Sequence, residues 1–438
     1  MRHVLRRQSQ PIVRSRVELL KQDHLLQNSF YLMLSTATMG LLGFLFWLLN
    51  ARLFSPSQIG LATTLISATS LISYLSLFGF NTTFIRFLPT SPDRDAEIST
   101  GLTFVFGGAL LVSAAYIFGV PAFVPGLRFV SANPWFAIGF VLLTACAAVN
   151  LVTDSVFVAF RAAKYNFLID GVIQGGTKLA LPIVLVGLGA YGIFAASGIA
   201  AFAAVAVSLV FMMRILAYKP RLQIHRAVVR MVWGYSAANY LANLLNIVPI
   251  LILPLIVIRS RGAADAGFYY VAFQIANLLN AVSYAVSESL LAEGSYEEES
   301  IPALAKRSAR FQAVTMVPAT AALILCTPLL LSMFGHDYRA HSATTLEVLL
   351  LAAPAVAFNT WTSALLRLTR QLAALIWSNV AFVVVLCGLA ALWVDRGLPW
   401  VAGAWLLGNL LSGAIGAIAL VTRRSWRPTD RQPDRAAA

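Results

Sequence analysis

The chain has 438 residues, of which 59% are hydrophobic and only 11% charged. Soluble domains carry roughly 25% charged residues, so this chain cannot cover a water-facing surface, which excludes a soluble enzyme. Its net charge of +14 would suggest nucleic acid on a soluble protein. Here the basic residues flank apolar stretches, so they set membrane topology and no nucleic-acid partner is expected.

The charges fall in short clusters separated by apolar stretches of about twenty residues, the length a helix needs to cross hydrocarbon. Residues 1–29 form a basic segment. The apolar stretch behind it is too long for a removable signal peptide and lacks a small-residue cleavage site, so the first helix is expected to stay. Spans are predicted near 30–49, 59–80, 99–120, 135–159, 168–188, 190–217, 233–258, 266–292, 311–334, 342–366, 372–394 and 400–422. Between the fifth and sixth, Gly187-Leu188-Gly189-Ala190-Tyr191-Gly192 must make a very tight turn. The expectation is an all-α polytopic membrane protein of about twelve transmembrane helices, with an N-terminal six-helix lobe over 30–217 and a C-terminal one over 233–422. A cytoplasmic linker over 218–232 joins them, and a basic tail over 423–438 follows.

Basic residues test that arrangement. Of the 32 Lys and Arg, 25 fall on the side of the N-terminus and six on the other side: Arg52, Arg128, Arg259, Arg261, Arg339 and Arg396. Such asymmetry predicts cytoplasmic termini, in a bacterial inner membrane. Lys178, inside a span, is the remaining one.

An internal repeat lies at an offset of 207 residues: Arg52-Leu-Phe-Ser-Pro-Ser-Gln-Ile-Gly60 over Arg259-Ser-Arg-Gly-Ala-Ala-Asp-Ala-Gly267. Polar positions then coincide as well: Ser67 with Gln274, Ser70 with Asn277, Ser73 with Asn280, and Asn81 with Glu288. An offset of six helices gives both copies one orientation, hence two lobes about an axis along the membrane normal.

Polar groups within a span are costly unless they face a partner or water, so their helical phase is informative. Asn239, Asn243 and Asn246 in span seven share one face. Asn277, Asn280, Tyr284 and Glu288 in span eight keep the same spacing, with Gln274 one turn earlier; span two repeats it with Ser67, Ser70, Tyr74 and Asn81. Polar residues that merely bind helix to helix are common, but three stripes on repeat-related helices favour a cavity between lobes. Lys178 is the deepest charge, and Asp154 in span four is its candidate partner, either as a structural pair or as a coupling group. Arg86 and Glu288 sit at the linker-side ends of spans two and eight, where long basic side chains also serve as interfacial anchors. Arg367 closes span ten beside Asn359-Thr360-Trp361-Thr362-Ser363.

Signatures of soluble chemistry fail on context. Gly187 to Gly192 formally matches G-x-G-x-x-G, but no strand precedes it. Gly175-Gly176-Thr177-Lys178 lacks the glycine spacing of a phosphate loop. Cys146, Cys326 and Cys387 all lie within apolar spans and show neither disulfide nor metal spacing, so no metal and no cofactor is expected.

The stretch Asn50-Ala-Arg-Leu-Phe-Ser-Pro-Ser-Gln-Ile-Gly-Leu-Ala, continuing through Leu77-Phe-Gly-Phe-Asn-Thr-Thr-Phe-Ile-Arg-Phe-Leu-Pro89, resembles the first hairpin of bacterial polysaccharide exporters and O-antigen flippases. These belong to the multidrug/oligosaccharidyl-lipid/polysaccharide superfamily. The resemblance implies two six-helix lobes around a cavity lined by spans one, two, seven and eight, and alternating access for a polyprenyl-diphosphate-linked oligosaccharide. Arg86 matches the basic residue such exporters place after the second span. The expected substrate contacts are Arg86, Lys178, Asn239, Asn243, Asn246 and Asn277, with Asp154 and Glu288 as proton or ion coupling groups. Membrane lipids surround the chain, and a polysaccharide polymerase or glycosyltransferase is the candidate partner. A multidrug or cation antiporter of the same fold is the competing reading, although deep basic charge favours an anionic substrate.

Overall fold

A computed structural model of the protein describes residues 24–296 and 301–422, and among them all regular structure is helical. Predicted span one falls on α1 (His24–Leu53), and span two on α2 (Pro56–Ser76) followed by α3 (Phe80–Phe87). Spans three to six fall on α4 (Arg94–Phe123), α5 (Pro134–Ala159), α6 (Ala163–Val184) and α7 (Ala190–Ile215). The second lobe holds α8 (Arg226–Arg261), α9 (Ala263–Tyr296), α10 (Ile301–Leu325) with α11 (Thr327–Phe334), α12 (His336–Leu368), α13 (Leu372–Trp393) and α14 (Leu398–Thr422). Among the described residues, nine helices are long and apolar enough to cross a membrane. α1, α8 and α9 stand outside those nine: α1 is apolar over Thr38–Leu53, and α9 carries the polar stripe of span eight.

Two predicted spans are interrupted: span nine at Cys326, between α10 and α11, and span two beyond α2. Span two ends at Ser76, because Phe78 and Gly79 take φ of 48° and 89° and turn the chain before α3 begins. Asn81 therefore does not continue the stripe of Ser67, Ser70 and Tyr74, and Arg86 sits on the short helix beyond the break. The start of α2 is well specified: Ser55 caps it, exchanging bonds with Gln58 in a capping box. The tight turn after span five is present as well. Gly189 has φ of 56°, and a side chain on Gly192 would overlap the Leu185 carbonyl. Within α6, Phe167–Gln174 is π-helical, a local widening and underwinding of the helix that recurs at functional sites.

Burial divides into three cores. One lies toward the Leu53–Pro56 turn and draws on both lobes, with Phe46, Ile59, Leu253, Tyr269 and Trp405 among its members. On the opposite side, which carries the inter-lobe segment, each lobe has its own core: Phe80, Phe84, Val152 and Met212 in the first, Leu290, Ile301 and Leu365 in the second. The lobes thus share a core on the turn side, while on the linker side the first part of α8 packs into the first lobe's core through Val228, Val229 and Val232, and Tyr240 donates to the Leu75 carbonyl at 2.7 Å. The linker itself is strapped to the first lobe. Tyr218 pairs its hydroxyl with Ser99 at 2.9 Å, and the Arg221 and His225 amides donate to Ser99 and Thr100. Burial pushes the Tyr218 phenol above its usual range.

Candidate substrate cavity and charged groups

Below the joined turn-side core, a cavity of about 110 Å³ lies where α2, α8 and α9 meet. α2 contributes Ser67 and Ser70, α8 contributes Ile250 and Pro254, and α9 contributes Tyr269, Gln274 and Asn277. Two of the repeat-related pairs read from sequence, Ser67 with Gln274 and Ser70 with Asn277, line this one space. Tyr269 is 1% exposed and Asn280 also 1%, and neither the phenol oxygen nor Asn280 Oδ1 has a hydrogen-bond partner. Polar atoms left this way in an apolar interior cost free energy unless a ligand or water meets them. Further along α9 toward the linker side, Leu278, Val282, Tyr284 and Glu288 are exposed. Glu288 is an exposed group on the linker-side part of α9. Asn239, Asn243 and Asn246 lie on α8, and their side chains are outside the described residues. Span one, expected among the cavity walls, is one aromatic layer away: Trp47 meets Tyr270 edge-on at 4.7 Å.

Lys178 is not on the cavity lining. Its Nζ sits 4.6 Å above the ring of Phe46 on α1, and Phe46 in turn packs edge-on against Trp47 at 4.9 Å. A row of aromatics therefore separates the ammonium from Tyr270 at the cavity. The expected pairing with Asp154 is absent, and the reason is geometric. Asp154 faces the lower part of α6, where its carboxyl hydrogen-bonds that of Asp170. Asp170 precedes Lys178 by eight residues, about 12 Å of helix. Lys178 has no carboxylate partner among the described residues. A guanidinium or ammonium this deep is retained in membranes for function more often than for packing. Arg86 is exposed, with its guanidinium 5.5 Å from the Phe87 ring, which fits an interfacial site at the linker-side face.

The acidic pair is the feature that sequence reading missed. A hydrogen bond between two carboxyl groups requires one of them to carry the proton, because a carboxylate only accepts. Asp170 is 5% exposed, and its Oδ1 accepts from Asn150 Nδ2 at 3.2 Å. Asn166 is also 5% exposed and donates to the Asp154 carbonyl at 3.1 Å. The amide oxygens of both asparagines are buried without partners. The signal was present as two Asn-x-x-x-Asp spacings, Asn150 to Asp154 and Asn166 to Asp170, on successive helices. Each spacing stacks its two residues on one helix face.

The polar run of span ten has a structural role. Asn359 donates to Asn409 Oδ1 at 3.1 Å, and Trp361 donates to the Ala305 carbonyl and Ser308, tying α12 to α14 and α10. Arg367 is exposed at the end of that helix.

A family model described as "Polysaccharide biosynthesis protein" matches residues 49–343, about two thirds of the chain. The chain belongs to the polysaccharide biosynthesis protein family. Solved structures share its fold. An inward-facing multidrug-resistance MATE transporter of the MOP superfamily aligns with a TM-score of 0.70 at 14% identity, over 89% of this chain and 94% of that one. The lipid II flippase MurJ, in an inward closed conformation, gives 0.66 at 12% identity over 91% and 89%. An outward-facing MATE transporter gives 0.57 at 15% identity over 93% and 98%. No curated protein matches the chain significantly by sequence. The family member is therefore a multi-pass membrane protein with the superfamily's fold, as the first hairpin indicated.

Proposed function

We propose that this family member moves a lipid-linked oligosaccharide across a bacterial inner membrane by alternating access, with no covalent step. The observation that supports this reading is the inter-lobe cavity lined by the repeat-related polar residues Ser67, Ser70, Gln274 and Asn277. A sugar head group cannot cross hydrocarbon unaided, whereas its polyprenyl tail can stay in the bilayer. Ser67, Ser70, Gln274 and Asn277 can replace water on sugar hydroxyls, and Asn239, Asn243 and Asn246 extend the same role onto α8. Arg86 at the linker-side face supplies positive charge for a diphosphate, and Lys178 adds to it in a conformation in which the Phe46–Trp47 row no longer stands between its ammonium and the cavity. The Asp154–Asp170 pair holds an exchangeable proton and suits coupling, with Glu288 on the linker-side part of α9 as a second acid. That pair is also the feature that favours a cation antiporter of the same fold, so the substrate must be tested directly.

Cysteines placed at Gln274 and Asn277 should react with small hydrophilic thiol reagents, while one at Ala276, 1% exposed on the opposite face, should not. Lipid-linked oligosaccharide should slow labelling at least tenfold, and organic cations should not. Protection by cations alone would favour the antiporter. Equal reactivity on both faces would discard the cavity as a path.

The excess of Lys and Arg on the linker side orients both termini and the linker toward the cytoplasm. In intact cells, a membrane-impermeant thiol reagent should therefore label a cysteine at Ser57 and spare one at Arg221. The reverse pattern would invert the topology.

A further inference from the structure

The sequence repeat that ends at Gly60 and Gly267 becomes a contact in space. α2 and α9 cross backbone against backbone at these two glycines. A Cβ on Gly60 would overlap the Ala263 carbonyl, and one on Gly267 would overlap the Pro56 carbonyl. Neither glycine has a positive φ, so what their lack of a side chain provides is close approach between helices. A second tie lies at the same end. Arg52, on α1 of the first lobe, donates from Nε to the Met333 carbonyl at 2.7 Å and from Nη2 to the Ser332 carbonyl at 3.1 Å. Those carbonyls close α11 of the second lobe, where a cation is favoured by the helix terminus. On the linker side no single core spans both lobes, and α8 alone packs into the first lobe's core, through Val228, Val229 and Val232.

We infer that the Gly60–Gly267 crossing and the Arg52 tie to α11 form a latch that holds the turn side shut in this conformation. Releasing the latch lets α2 and α9 part there and exposes Ser67 and Gln274 to the turn side. The tie is one-sided. Arg259, the repeat counterpart of Arg52, has no hydrogen-bond partner among the described residues and stands at the rim of an apolar groove with Tyr116. Two hydrogen bonds and one glycine crossing are therefore what opening must undo at these positions. The purpose of the latch rests on the transport reading, but its test does not.

The test uses the full chain with Cys146, Cys326 and Cys387 replaced by alanine, in lipid nanodiscs. Spin labels go on cysteines at Ser57 and Ala264, exposed positions flanking the crossing. Double electron–electron resonance then reads the distance between lobes without any substrate. The parent protein should show a short distance. Gly60→Val should move at least tenfold more of the population to longer distances, and Arg52→Gln, which adds no bulk, should move a smaller share the same way. Gly107→Val, where the new side chain meets open space, should change nothing. If Gly60→Val fails to fold, Gly267→Ala and Arg52→Gln carry the measurement. Distances unchanged in folded glycine and Arg52 variants would overturn the latch, and lengthening in the glycine variants alone would remove Arg52 from it. A chain that opens as expected yet moves no lipid-linked sugar would overturn the transport reading and leave the latch standing.

Discussion

Lys178→Met should reduce oligosaccharide export at least tenfold at normal protein abundance, with lipid-linked intermediates retained in the inner leaflet. A charge-assisted bond to phosphate contributes about 1.5–3 kcal/mol, and about 1.4 kcal/mol is a factor of ten. Methionine keeps the length and the contact with Phe46 while removing the charge, and no carboxylate is left behind because none is paired with Lys178. Loss of abundance is therefore not expected. Lys178→Arg should retain part of the activity, since charge remains while the geometry of approach changes. Export at the parent level from the methionine variant would remove Lys178 from the transport path. The double change Lys178→Ala/Asp154→Ala should be inactive; recovered export there would restore a structural link between the two groups that the geometry does not contain.

The acidic pair gives the second large effect. Asp154→Asn can still donate to Asp170, so the variant should fold, but the pair can no longer take up and release a proton. Export should fall by about tenfold or more, a step of at least about 1.4 kcal/mol, and lose its response to an imposed proton gradient. The parent should respond, with export rising as the gradient steepens inward. A variant whose export still follows the gradient would exclude the pair from coupling. Asp170→Leu should behave differently. It leaves the buried Asn150 amide without its acceptor, at a cost of about 1–3 kcal/mol, so protein abundance measured by immunoblot should fall as well.

Much of the architecture was legible because membrane spans announce themselves by length. Helix positions, the short turn at Gly189 and the pairing of Ser67 with Gln274 all follow from apolar runs and a fixed offset. The break at Phe78–Gly79 was not legible, since the apolar run continues across it and only backbone geometry shows that the helix stops. The Lys178–Asp154 pairing failed for a related reason. Opposite charges on neighbouring spans suggest a pair, but depth along the helix decides it, and Asp170 lies nearer to Asp154 than Lys178 does. Asp170 itself was passed over because it stands close to the predicted start of its span, where a carboxylate is unremarkable. The π-helical turn around it and its 5% exposure make it an interior group.

The strapped linker bears on how the protein is made. Tyr218, Val228, Val229 and Val232 pack into the linker-side core of the first lobe, so that core is complete only with residues beyond α7. A chain that leaves the ribosome N-terminus first has all of these partners once residue 232 emerges, before α9 itself emerges. The turn-side core cannot form so early, because Tyr269, Leu346 and Trp405 belong to it. Synthesis thus delivers one half-built lobe with its linker-side core finished, and the turn-side seam between lobes closes last.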